Sequence, residues 1–236
     1  MLKGLKSIKE KSDQTQQIAF KDRIRNLYLK DGEYAVIRFL TDTDSIIEAK
    51  IHEITKTTEN GPRYEKHYCT KEDIGQCQDC QEGNIPANMM FFWTYVSHIM
   101  HKTQNPRLER DENAPRWQQK KVGSTVYYEE DVAGPMILRC KRGKDGYLRK
   151  KFLNIDEENG TWCDRDYKWS RSGGGINTVY DLLGKDPSKL AKEIKAVKDE
   201  LPELASVVSG KITSFNSEES DVIAEPSSNS DDDGLF

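Results

Sequence analysis

Three cysteines lie close together: Cys69, and the pair in Cys77-Gln-Asp-Cys80. A C-x2-C knuckle with a third thiol eight residues before it suits a tetrahedral zinc site that needs one more ligand. His52, His67 and Cys140 are the candidates. Glu59-Asn60-Gly61-Pro62 is a turn signal between two β-rich stretches and predicts a hairpin. If it is centred between Asn60 and Gly61, facing residues have numbers that sum to 121, and His52 lies opposite Cys69. Opposed residues have Cβ atoms about 4.5–5.5 Å apart, which one zinc can bridge. His67 shares the face of Cys69 but lies ~6.6 Å along the strand, so it is the less comfortable alternative. Pro62 lacks the N–H that a tight two-residue turn would use. A longer symmetric loop would keep the same register. Four protein ligands leave no open position, so the zinc is expected to be structural, one per chain. The plain reading is reduced, unliganded cysteines, or a redox C-x-x-C. Cys140 and Cys163 read as ordinary core thiols.

The second chemistry is cationic and aromatic. Met89-Met-Phe-Phe-Trp-Thr-Tyr-Val-Ser-His98 alternates, with Phe91, Trp93 and Tyr95 on one face and Phe92, Thr94, Val96 and His98 on the other. Such rings are ordinarily core. Trp93 and Tyr95 are assigned to a binding face because Trp and Tyr tolerate a half-wet groove. Arg139, Lys141, Arg142, Lys144, Arg149, Lys150 and Lys151 read as a basic hairpin with Tyr147 at its turn. Arg165, Tyr167, Trp169 and Arg171 share one face of an extended strand. Base-stacking rings among phosphate-binding cations are what single-stranded nucleic acid requires. Solvated surface charge is the alternative for any single lysine.

Catalytic motifs compete poorly. The chain has no P-loop, H-E-x-x-H or G-x-S-x-G. Asp164 and Asp166 form a D-x-D pair that could hold magnesium in a nuclease, without a further acidic cluster nearby. The favoured reading is not an enzyme. A zinc-stapled nuclease and an RNA-binding or regulatory zinc protein are the alternatives.

These residues need a scaffold. β-rich stretches are expected at 32–40, 46–54, 63–70, 89–100, 122–129, 135–142, 147–155 and 161–170, with a charged, mobile loop at 102–121. Gly173-Gly-Gly175 is expected to end the β region. Residues 176–183 and 186–204 read as helical, the latter opened by Asp186-Pro187. The expected fold class is mainly β: a small barrel with an inserted zinc subdomain at about 50–85 and a few C-terminal helices. Strand count alone fits a sandwich equally.

The 236 residues divide by charge. The first thirty carry eight bases and three acids, and residues 1–20 read as a basic arm (Lys3, Lys6, Lys9, Lys11). Residues 214–236 carry seven acids and no Lys or Arg, so 211–236 reads as a disordered acidic tail after a core at 21–210. The longest apolar run, 89–96, is too short to span a bilayer, and the start has no secretory h-region. Five cysteines without a signal argue for an intracellular chain.

The order His52, hairpin, Cys69, Cys77-x2-Cys80, aromatic strand, basic hairpin resembles the zinc-containing single-stranded-DNA-binding, helix-destabilising proteins of tailed phages. Gly32-Glu-Tyr-Ala-Val-Ile-Arg-Phe-Leu-Thr-Asp looks like their opening strand. Asp164-Arg-Asp-Tyr-Lys-Trp-Ser-Arg-Ser-Gly-Gly-Gly resembles a segment near the end of their core, and Asp231-Asp-Asp-Gly-Leu-Phe236 their acidic tip. The resemblance covers roughly 28–183 plus the tail and favours His52 over His67. It implies an OB-fold, sequence-independent binding in DNA replication, recombination and repair, and the cytoplasm of an infected bacterium. It also implies that Asp231, Asp232, Asp233 and Phe236 contact phage replication and recombination proteins. The basic arm is only loosely like the family's self-association arm, and the loop at 102–121 has no counterpart.

Overall fold

The computed structural model describes residues 24–58, 61–103, 117–141 and 147–215. The arm 1–20, Arg142, Lys144 and the tail residues Asp231, Asp232, Asp233 and Phe236 lie outside the described residues. The strands are β1 (Asn26–Leu27), β2 (Tyr34–Phe39), β3 (Ile47–Thr58), β4 (Gly61–Tyr68) and β5 (Ala87–His101), followed by β6 (Trp117–Val122), β7 (Thr125–Lys141), β8 (Asp166–Ser172) and β9 (Val179–Gly184). The helices are α1 (Lys71–Ile74), α2 (Gln78–Gln81), α3 (Tyr147–Asn159), α4 (Lys192–Asp199) and α5 (Leu204–Val208). The strands form one sheet in the order β1-β7-β5-β2-β8-β9, with β6 added to β7 and the β3–β4 hairpin added to β5.

The chain is therefore mainly β, and the sheet curls into a half-barrel. The curl has local causes. One edge of β5 pairs with β7 along nearly its whole length; the other pairs first with β3, through 87–91, and then with β2, through 94–100. Register shifts fall between Val36 and Ile37, and between Val96 and His98. Across from the second, Ala133 has φ 42°, in the left-handed region. Bulges of this kind bend a strand and raise its twist.

Alternation along β5 builds two cores. Met90, Phe92 and Val96 join Phe39, Phe152, Trp162 and Tyr167 on one face. Phe92 and Phe152 approach to 4.8 Å between ring centroids, and Phe39 and Tyr167 to 5.4 Å. Met89, Phe91 and Trp93 join Leu40, Ile51, Ile137 and Leu204 on the other. Each fully buried large apolar side chain contributes roughly 1.5–3 kcal/mol. In the middle of β2, Arg38 is buried. It donates to Asp166 Oδ1 at 2.8 Å, Cys163 O at 3.2 Å, Ser188 O at 3.0 Å and Ser188 Oγ at 2.5 Å.

Several expected elements are corrected. Residues 147–155, expected as a strand of a basic hairpin, form helix α3. Leu148, Phe152 and Ile155 follow i, i+4, i+7 spacing, and the first two are buried in the main core. Residues 117–121 of the expected loop form β6, paired with β7. β7 is one strand across 125–141 rather than two.

The segment 176–183 is not helical. A short 3-10 turn, Gly175–Asn177, leads into β9, which pairs with β8. Gly173 makes this reversal possible: its φ is 75°, and a Cβ there would meet Asn177 O at 2.4 Å. The triple glycine thus turns the sheet rather than ending it. Within 186–204 only α4 and the first residue of α5 are helical. Residues 211–215, expected in the disordered tail, are packed: Ile212 and Ser214 are buried, and Phe215 lies 5.9 Å from the Trp93 ring.

A buried ionic network ties distant segments. Glu33 and Glu130 are each 1% exposed. Arg25 donates to Glu130 at 2.6 Å, His101 Nε2 lies 2.7 Å from Glu130, and its Nδ1 lies 3.5 Å from Glu33. Glu33 also accepts the backbone N–H groups of Lys30 and Lys102, at 2.8 and 3.1 Å.

Candidate metal centre and basic cleft

The ligand atoms of His52, Cys69, Cys77 and Cys80 all lie within 4.8 Å of one another and could hold a metal ion. β3 pairs with β5 only through Ile51, so His52 opens the part of the hairpin that projects from the sheet. Cys69 follows β4 and donates its N–H to Lys50 O at 2.9 Å. α1 ends at Gly75, whose φ of 77° turns the chain back toward the hairpin. Cys77 then caps α2, accepting the N–H of Gln81 at 3.1 Å, and Cys80 sits within that helix. His52 Nε2 is 3.3 Å from Cys77 Sγ and 3.5 Å from Cys80 Sγ; Cys69 and Cys80 sulfurs are 3.6 Å apart.

The hairpin register differs from expectation. His52 faces His67, and Cys69 lies two residues farther along. The turn closes between Thr58 and Gly61 instead of around Gly61. Gly61 has the N–H that a two-residue turn uses and Pro62 does not. A shift of two leaves every side chain on its original face, so His52 and Cys69 still converge, now diagonally. His67 stays outside the cluster: its Nδ1 lies 3.0 Å from Asp79 Oδ2 and its Nε2 3.3 Å from Glu65.

The cluster's electrostatics favour a bound cation. Burial opposes the Cys77 thiolate, but the backbone N–H groups of Cys80 and Thr70 outweigh it and bring the thiol down to about 6. Burial, together with Cys69 and Cys77, pushes Cys80 up to about 11. Three thiolates cannot share this volume without a positive charge among them. Cys140 and Cys163, remote from the cluster, are pushed up by burial to about 12 and about 11 and read as core thiols.

A cleft of about 1170 Å³ runs beside the hairpin. Among the described residues its cations are Lys66, Arg139, Lys141, Arg149, Lys150 and Arg171, against one lining carboxylate, Glu53. Tyr28, Tyr147 and Tyr180 supply its accessible rings, with the buried Trp169 stacked against Tyr180. Strand β4 brings Lys66, the end of β7 brings Arg139 and Lys141, α3 brings Arg149 and Lys150, and β8 brings Arg171. Arg171 lies between two rings, its guanidinium carbon 5.6 Å from the Tyr28 centroid and 6.0 Å from that of Tyr180. It donates to Leu29 O at 2.7 Å. Burial pulls the half-buried Arg139 below its ordinary range, against the pull of Glu53. Burial opposes ionisation of Glu53 too, but hydrogen bonds from Lys141 and Lys66 outweigh it and hold that carboxyl below its ordinary range.

The cleft gathers Arg139, Lys141, Tyr147, Arg149, Trp169 and Arg171 of the expected nucleic-acid residues. Arg142 lies outside the described residues, and the remaining ones are placed elsewhere. Trp93 is 4% exposed, its indole N–H donates to Pro202 O at 3.1 Å, and the 201–215 segment covers it. Tyr95 is half-buried and packs against the same core. Tyr167 and Trp169 are each 1% exposed, so neither offers a ring face to a ligand. Trp169 instead stacks on Tyr180 at 5.1 Å and 12°. Lys151 pairs with Asp181, and Arg165 holds Asp164 through two bonds of 2.7 and 2.9 Å.

The D-x-D pair is likewise engaged, Asp164 by Arg165 and Asp166 by Arg38. Lys66, Tyr28 and Tyr180 were missed from sequence. Tyr180 sits in the segment expected as a helix; the β-preferring Thr178-Val179-Tyr180 would have marked a strand there, which the structure sets opposite Arg171. Among the described residues no helix is long and apolar enough to cross a membrane. Comparison with family models, curated proteins and solved structures found no match.

Proposed function

We propose that the chain binds single-stranded DNA without reading its sequence. The observation that carries this reading is the cleft, where among the described residues six cations face one lining carboxylate beside rings that can stack on bases. Tyr28, at 62% exposure, is the ring most open to a base. Cations neutralise the phosphates, and rings accept any base because every base has a π-face.

The metal is proposed to be zinc. About 2.3 Å for Zn–S and 2.0–2.1 Å for Zn–N gives tetrahedral edges of roughly 3.8 Å between sulfurs and 3.6 Å between nitrogen and sulfur. The S–S separation of 3.6 Å and N–S separations of 3.3 and 3.5 Å lie close to these edges. The donor set, three thiolates and one imidazole, belongs to structural zinc.

The curled sheet supports an OB-fold, and the ligand order supports kinship with the phage helix-destabilising proteins. On that reading the protein serves phage DNA replication, recombination and repair in the host cytoplasm, and the acidic tail recruits partner proteins. The test is a salt titration of binding to single-stranded and duplex DNA of one sequence, with matched RNA alongside. Preference for single-stranded DNA, with log affinity falling by about 0.7 per phosphate neutralised in log salt, is expected. Equal binding of duplex, or preference for RNA, overturns it. The nuclease alternative has less support, since both its carboxylates are held by arginines.

A further inference from the structure

Glu53 is the one carboxylate among the described residues that line the cleft. Lys66 Nζ donates to its Oε1 at 2.6 Å, and Lys141 Nζ pairs with its Oε2. Lys66 belongs to β4 and Lys141 ends β7, so the two oxygens bridge the projecting hairpin to the body of the sheet. A phosphate spanning two lysines would use its oxygens in the same way. The carboxylate is not sealed in: its side chain is 34% exposed. Beside it, Arg139 is half-buried and meets no hydrogen-bond or ion-pair partner among the described residues. The cleft thus holds two lysines already satisfied from within and one guanidinium facing open volume.

We propose that Glu53 is a tethered competitor for the nucleic-acid backbone, holding Lys66 and Lys141 when the cleft is empty and releasing them when a phosphate chain enters. The inference rests on the single-strand reading above and names a residue that regulates that site. Exposed carboxylate–lysine pairs are weak, so a chain of phosphates can replace this one. The carboxylate remains attached after losing its lysines and repels the arriving phosphates. A ligand with one phosphate gains little over the internal pair; one with several adjacent phosphates also engages Arg139, Arg149, Lys150 and Arg171. Glu53 therefore selects for polyanions over mononucleotides.

The experiment compares wild type with Glu53→Gln, which keeps the side chain's shape and removes its charge. The probe is a fluorescent oligothymidylate titrated over a range of salt, with metal content and melting temperature as checks on folding. The variant is expected to bind about tenfold tighter at low salt, with a slope steeper by up to about 1.4 if both lysines gain phosphates. Lys141→Ala should cost little in wild type and more in the Glu53→Gln background, a non-additivity that measures the competition. Unchanged or weaker binding by a folded, metal-loaded Glu53→Gln overturns the proposal and makes Glu53 a clamp that orients its lysines. If wild type binds no single strand, the functional reading fails on its own. Retention on heparin then decides the role of Glu53: later elution of the variant supports competition, and equal elution rejects it.

Discussion

The metal centre and the basic cleft lie side by side, yet they are assembled in opposite ways. All four cluster ligands come from residues 52–80, one hairpin and the knuckle after it. The cleft draws on residues from Tyr28 to Tyr180, brought together by β1, β4, β7, α3, β8 and β9. A local site is specified by spacing and face, and it tolerated a two-residue slip in hairpin register. An assembled site depends on every element being correct, and one strand taken for a helix hides a ring such as Tyr180. The local site should accordingly fail abruptly when its own ligands change, whereas the cleft should fail by degrees and through distant anchors.

The largest effect should come from removing the metal. Structural zinc supplies roughly 10–16 kcal/mol of apparent binding free energy in zinc-finger peptides at neutral pH. Chelation or Cys77→Ser is expected to open 52–85 to protease and lower the melting temperature sharply. His52→Ala should lose the metal and His67→Ala should keep it, as read by metal content of protein purified under reducing conditions. The reverse result would show that the cluster does not bind as its distances indicate.

Trp93→Ala comes next and separates the two sites from the core between them. The ring is buried under Leu204 and Phe215, and emptying such a volume costs about 3–5 kcal/mol. Denaturant unfolding should show that loss, while the folded protein's affinity for a single strand stays within about twofold, since nothing of Trp93 faces the cleft. A large affinity loss with unchanged stability would return Trp93 to the binding surface.

A pH effect should reach the cleft through its anchor and spare the metal centre. Glu33 and Glu130 flank His101, and Arg25 pairs with Glu130. Burial opposes the imidazole's charge, but the hydrogen bonds it donates to the two glutamate carboxylates dominate and raise its pKa to about 9. A raised folded-state value means the stabilisation is complete below the ordinary ~6.5 and is lost as pH rises through about 9. The interval corresponds to about 3 kcal/mol. Glu33 and Glu130 are lowered against the opposing effect of burial by their bonds with His101 and others. Their contribution is present above about 4.5 and fades as pH falls. Urea midpoints should therefore decline from pH 6.5 to 9.5, and His101→Gln should flatten that decline. The network holds Arg25 and Glu33 on either side of Tyr28 and Leu29, so single-strand affinity should weaken over the same interval. A His101→Gln profile parallel to wild type would assign the decline to other groups.

What the sequence revealed follows the same division. The cluster was legible because C-x2-C spacing, a turn signal and strand parity are local. Its register differs by two because the missing N–H of Pro62 moves the closing pair to Thr58 and Gly61. The alternation of β5 was legible, but which face met solvent was not. The tertiary return of 190–215 closes the Phe91–Trp93 face, and residues 211–215 read as tail. The basic residues were found by composition. The helical spacing of Leu148, Phe152 and Ile155 was masked by the alternate-residue reading of the charges around them. Gly173 was visible as a glycine, but its role as the reversal that pairs β9 with β8 depends on a close approach to Asn177 that no local pattern encodes.

The smallest effect, and the sharpest test of the cleft, is Arg139→Ala. Arg139 lies on β7 opposite Phe91, at the end of the strand where cleft and hairpin meet. No described residue hydrogen-bonds or ion-pairs with it, so its removal breaks no internal bond, and relief of its desolvation offsets the packing lost from its stem. Folding stability should change little. Binding should lose a hydrogen bond to a charged group, about 1.5–3 kcal/mol, because a phosphate has no substitute donor at that depth. The salt slope should fall by about 0.7, one phosphate's share. The loss should be the same for every oligonucleotide sequence, since a backbone contact carries no sequence information. Metal content should be untouched, because Arg139 belongs to none of the ligand-bearing segments. A sequence-dependent loss would mean that the guanidinium reads a base edge. No loss at all would mean that the nucleic acid passes over the rim at Tyr28 without entering the cleft.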